Sequence, residues 1–233
     1  MQFRTGVLLG IVCLMSTAAG SLQAGILPTH PNAYVDNTTF IWRGTANYSV
    51  TVFTHKMIAN VEYAVFAPGT LPAGIGADPS GGDHFVYVYQ LFNDLGTGAN
   101  KGILNLTVGF DSDAPYNPGQ PSNLGSINVA GGQDTTSARY IPVSGSPKTS
   151  VLWDWSPGSL MPGPGKWSDY LIFTSPFRPE FTNGAMQGQN SLVQSKPLPS
   201  PIPEPGAFTL GCLGAAALAL VHAAKRRKSL IHN

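Results

Sequence analysis

Residues 84–92, HFVYVYQLF, decide the fold class of this 233-residue chain. On an extended backbone successive side chains point to opposite faces, so Phe85, Tyr87, Tyr89 and Leu91 share one face and Val86, Val88 and Phe92 the other. Both faces are apolar, and aromatic and β-branched residues suit a pleated, packed surface. Such a strand belongs in the middle of a sheet covered above and below, as in a β-sandwich.

Working outward, residues 47–54 mix Tyr, Val, Thr and Phe, and 60–67 (NVEYAVFA) alternate Val61, Tyr63 and Val65 against Glu62, Ala64 and Phe66 before stopping at Pro68-Gly69. Residues 102–110 (GILNLTVGF) follow a Gly-rich turn at 96–98 and read as an antiparallel neighbour of the central strand. Further strands are expected at 137–143, 148–155 and 167–175, with a weaker one at 185–193, and a Pro/Gly/Asn-rich loop at 111–125. With 27 Gly, 20 Pro and no amphipathic helix between the termini, the expectation is all-β: an antiparallel β-sandwich of about eight strands.

Charge is sparse and unevenly placed. Residues 25–202 carry a net charge of −3, while Lys225, Arg226, Arg227 and Lys228 form a basic cluster near the C-terminus. A weakly acidic body argues against nucleic-acid binding. The two cysteines, Cys13 and Cys212, lie in apolar terminal segments, so the body can form neither a disulfide nor a zinc-thiolate site.

Those terminal segments read as addresses. Residues 1–24 place Arg4 before an apolar run from Val7 to Met15 and then small residues, the order of a secretory signal peptide handled by Sec-type export machinery. Residues 206–224 form a second apolar run, which as a helix would reach about 28 Å, enough to span a bilayer. The basic cluster at 225–228 would stay cytoplasmic, which places the body outside. The expected organisation is therefore a signal peptide (1–24), a β-sandwich ectodomain (25–196), a Pro-rich linker (197–202) and a terminal signal (203–228).

The triplet Pro203-Glu204-Pro205, the single apolar span at 206–224 and the basic tail at 225–228 together resemble the PEP-CTERM sorting signal of Gram-negative bacteria. The resemblance implies recognition by exosortase, an integral-membrane cysteine transpeptidase that cleaves near the triplet. It further implies an inner-membrane-anchored precursor whose domain ends at the cell surface or outside the cell. The strings EYAVFAPG (62–69), YVYQ (87–90), VLWDW (151–155) and LIFTSP (171–176) are similar to ones in ectodomains of that family, which are taken to be β-sandwich-like. They supply no catalytic residue.

No G-x-S-x-G, H-E-x-x-H or Walker pattern is present. Asp83-His84 opens the central strand, and His84 reads as a strand-end residue rather than a proton shuttle. Asp111, Asp113 and Asn117 gather oxygen ligands that could hold Ca²⁺, but without the Gly and terminal Glu of an EF-hand they read as solvated turn residues. Trp153 and Trp155 share a face and offer an alternative function, a stacking platform that retains extracellular polysaccharide; the competing reading is that they fill the core. The leading expectation is a noncatalytic exported surface protein with no cofactor, whose partners are the export machinery, exosortase and the membrane.

Overall fold

The computed structural model describes residues 27–36, 40–93, 102–109, 124–142, 149–156 and 165–201. After a 3₁₀ turn at Leu27–Thr29, ten strands follow among the described residues: β1 (Arg43–Val52), β2 (His55–Phe66), β3 (Phe85–Asn93), β4 (Ile103–Gly109), β5 (Gly125–Ile127), β6 (Ser137–Pro142), β7 (Thr149–Asp154), β8 (Tyr170–Ser175), β9 (Pro179–Gly188) and β10 (Val193–Pro201). They form two five-stranded sheets, ordered β1-β2-β3-β8-β5 and β10-β9-β4-β7-β6, with every strand pair antiparallel. The protein is all-β, and its two layers are consistent with a β-sandwich.

β3 is the middle strand of its sheet, and its two faces enter separate cores. Phe85, Tyr87, Tyr89 and Leu91 pack with Leu106, Val108, Val151, Trp153 and Met186 of the second sheet. Val86 and Val88 turn outward and pack with Ala64, Phe66, Ile172 and the covering residues Leu27, Ala33 and Ile75. The segments 27–36 and 67–84 thus act as a partial third layer.

Three features depart from the strand pattern expected from sequence. β4 does not pair with β3: it lies in the second sheet between β9 and β7, because both sides of β3 are already taken by β2 and β8. The weak strand expected at 185–193 is a hairpin, in which β9 and β10 are joined by a turn with Asn190 and Ser191 at positive φ. β5 adds a three-residue edge strand at the end of the stretch read as loop. The strand count is consequently ten where about eight were expected.

Residues 197–201, five of the six residues read in sequence as a Pro-rich linker (197–202), are instead the second half of β10 and pair with residues 179–183 of β9. Proline donates no backbone hydrogen bond, so only Lys196, Leu198 and Ser200 can donate to β9 here, and Pro197, Pro199 and Pro201 occupy the alternate positions facing away. The outward carbonyl of Pro199 accepts a hydrogen bond from the Tyr89 hydroxyl of the opposite sheet. A second such tie runs from the Tyr48 hydroxyl to the Gly184 carbonyl, at 3.1 Å.

The registers fix two ends of the molecule. The β1–β2 hairpin, closed by the Val52–His55 pair, lies at one end with Phe53 at its tip. Trp42, Phe66, Phe85, Ser175 and the Pro179–Pro201 pair lie at the other, from which the chain leaves β10. The expected signal peptide and apolar span lie outside the described residues, among which no helix is long and apolar enough to cross a membrane.

Candidate functional site

Pro203, Glu204, Pro205 and the basic tail Lys225, Arg226, Arg227 and Lys228 lie outside the described residues, as do Asp111, Asp113 and Asn117. No group of three or more His, Cys, Asp or Glu side chains is placed to hold a metal among the described residues.

The Trp pair at the end of β7 is described, and its position corrects the stacking-platform reading. Trp153 of β7 and Trp155, just past its end, are both 0% exposed and belong to the core between the sheets. Trp153 packs on Tyr89 at 5.7 Å and Phe173 at 6.2 Å, and its Nε1 donates to the Gly125 carbonyl at 3.0 Å. A sugar ring cannot reach either indole. The alternation that puts both residues on one face also delivers both to the core, since that face is the one the sandwich closes over.

His84 does acquire an acid and a hydroxyl nearby. The Ser80 Oγ donates to Asp78 Oδ1 at 2.7 Å, the Ser80 N–H donates to the same oxygen at 2.8 Å, and the His84 main-chain N–H donates to Ser80 Oγ at 3.2 Å. In a nucleophile–base pair the imidazole must accept the hydroxyl proton. Here the hydroxyl proton goes to the carboxylate, and the link to His84 is through its backbone. The arrangement staples the loop that covers Val86 and Val88. The buried His84 Nδ1 and Asp78 Oδ2 have no hydrogen-bond partner.

A second polar group is the buried Asp169, whose Oδ1 accepts from the Val129 N–H at 3.0 Å. Burial is the main cause raising its carboxyl above the usual range; the Val129 hydrogen bond opposes the rise, and the nearby Asp134 charge adds to it. A methyl group on Gly132 would lie 2.3 Å from Asp169 Oδ1, so the glycine lets this loop close onto the carboxylate.

The surface with the most distinctive chemistry is at the exit end. An antiparallel bridge pairs Val35 with Ile41, and the Trp42 N–H donates to the Tyr34 carbonyl, extending the first sheet beyond Val65. This brings Phe40 and Trp42 against Phe181 of β9, with ring centroids 5.9 and 4.9 Å apart, while Phe40 and Trp42 meet edge-on at 5.0 Å. Tyr63 closes the group from below at 6.1 Å from Phe181. Trp42 is buried, but Phe40 and Phe181 are 43% and 39% exposed, and Val35 and Ile41, the bridged pair next to them in the chain, are 50% and 37% exposed. The cluster joins residues far apart in sequence and was not recognised from it. The remaining signal, the apolar FIW at 40–42, reads in isolation as an ordinary strand start.

Comparison with family models, with curated proteins and with solved structures finds no match to this chain.

Proposed function

We propose that this chain is an exported, noncatalytic surface or extracellular-matrix protein, delivered as a membrane-anchored precursor and processed by an exosortase at Pro203-Glu204-Pro205. The observation that carries this reading is the order of the C-terminal segment: triplet, apolar span at 206–224 and basic tail at 225–228. The fold adds a supporting fact. β10 ends at Pro201, so the triplet starts after one intervening residue, and a cut within or beyond it removes no residue of either sheet. The domain released by that cut would keep all ten strands of the described residues.

The physical logic is that of a substrate. Pro203 and Pro205 donate no backbone hydrogen bond and favour an extended backbone, which suits binding in an enzyme groove. Glu204 supplies the only charge between Lys196 and Lys225. The apolar span would hold the triplet at the membrane surface, within reach of an integral-membrane enzyme.

The test is replacement of Pro203, Glu204 and Pro205 by Ala in a host that has an exosortase. The expected result is a larger, membrane-bound precursor in place of the mature form. Unchanged mature mass and location would overturn the sorting reading.

A further inference from the structure

We infer that the exit end of the sandwich docks on the bilayer surface in the anchored precursor, with Phe40, Phe181, Val35 and Ile41 as its lipid-facing contacts. The inference rests on the proposed anchoring through residues 206–224 and adds an orientation to it.

The first argument is chain length. From Pro201, the last residue of β10, to Gly206, the first of the apolar span, there are five residue steps, which reach at most about 18 Å when fully extended. The head-group layer between water and hydrocarbon takes up about 5–8 Å of that distance. The exit end is therefore held close to the membrane surface however the connecting residues are arranged. Phe181 pairs with Pro199, two strand positions (about 7 Å) from the Pro179–Pro201 pair at which the chain leaves.

The second argument is chemistry. Aromatic and aliphatic side chains that stay partly exposed on a folded domain gain by entering the boundary between head groups and acyl chains. This end presents two half-open phenyl rings backed by a buried Trp and flanked by two exposed aliphatic residues. They are supported from behind by β2 and β9, so insertion requires no unfolding.

The third argument is contrast with the opposite end. Phe53 at the β1–β2 hairpin is 93% exposed, more than any large apolar residue of the exit end, yet it lies a full ten-residue strand away, about 33 Å. The short tether allows only one end to touch lipid. Phe53 thus provides an internal control of the same residue type.

The experiment uses the full chain, with Cys13→Ala and Cys212→Ala, in phosphatidylethanolamine–phosphatidylglycerol vesicles that carry a shallow nitroxide lipid. A bimane fluorophore is attached in turn at Phe181→Cys, Val35→Cys and Phe53→Cys. Val35→Cys alters only an exposed position and keeps the test decisive if Phe181→Cys folds poorly. The expected result is quenching roughly twofold or more stronger at 181 and 35 than at 53, as fits insertion of only about 5–10 Å. Equal quenching at the two ends, with the chain still in the membrane pellet after alkaline carbonate, overturns the docking and leaves the anchor standing. Release of the chain by carbonate overturns the anchor and the docking together.

Discussion

The inter-sheet cluster of Tyr87, Tyr89, Trp153 and Phe173 and the exit-end cluster of Phe40, Trp42, Tyr63 and Phe181 draw on the same residue types. Tyr87 stacks on Phe173 at 4.7 Å and 9°, and all four inner residues are at most 1% exposed. In the outer cluster the rings meet mainly edge-on, and two of the four are more than a third exposed. The inner rings stand on central strands, where a facing sheet completes the burial. Where both sheets run out, Trp42 and Tyr63 are still covered, while Phe40 and Phe181 are left partly open. Position in the sheet, rather than residue type, decides which aromatic residues hold the fold and which are open to a partner.

The sharpest test of this distinction is truncation in each cluster. Trp153→Ala removes a fully buried indole and leaves the Gly125 carbonyl without its donor, and should cost about 3–5 kcal/mol in chemical denaturation of the domain. A loss below about 1 kcal/mol would mean that the inner cluster is not the core. Gly184→Ala comes next. Its methyl group would sit 2.4 Å from Leu198 Cδ1 and 2.7 Å from Leu198 Cγ, and overpacking between β9 and β10 should cost about 1–3 kcal/mol by the same measurement.

Tyr89→Phe keeps the ring and removes only the hydroxyl that ties the first sheet to Pro199 of β10; about 1 kcal/mol is expected. Phe40→Ala, at the open cluster, should stay within about 0.5–1 kcal/mol, because a half-exposed ring has little burial to lose. If Phe40→Ala proved as costly as Trp153→Ala, the contrast between the clusters would collapse.

The smallest effect at neutral pH concerns ionisation. Burial holds the Tyr87 and Tyr89 hydroxyls well above the ordinary 10.0, and neighbouring tyrosines add to the shift. A raised folded-state value means that the native protein keeps protons the unfolded chain has released, so the contribution of these two tyrosines to stability is constant below about pH 10 and falls as pH rises beyond it. In an absorbance titration at alkaline pH these two tyrosines should ionise only as the protein unfolds. Smooth ionisation of every tyrosine in a still-folded protein would contradict the closed inner cluster.

What was legible in the sequence follows the same division. HFVYVYQLF announced a two-sided central strand because alternation is a local property, and β3 occupies that place. Partner choice is not local. Nothing in GILNLTVGF states that β8 has already occupied the free side of β3, so the transfer of β4 to the second sheet was not readable. Trp153 and Trp155 illustrate the limit at side-chain level: period two shows that they share a face, while the direction of that face depends on a sheet built from other segments. The exit-end cluster was hidden for the same reason, since Phe181 meets Phe40 and Trp42 only once β9 lies beside the first sheet.

The alternate prolines of β10 have one more consequence. A sheet edge with free donors and acceptors invites a neighbouring strand to add on. Between residues 197 and 201 the outward side of β10 offers no N–H at all, and one of its carbonyls is already bonded to Tyr89. Residues 198–201 are also buried, so this stretch is both poor in outward donors and covered. The second half of β10 is thereby protected against strand addition.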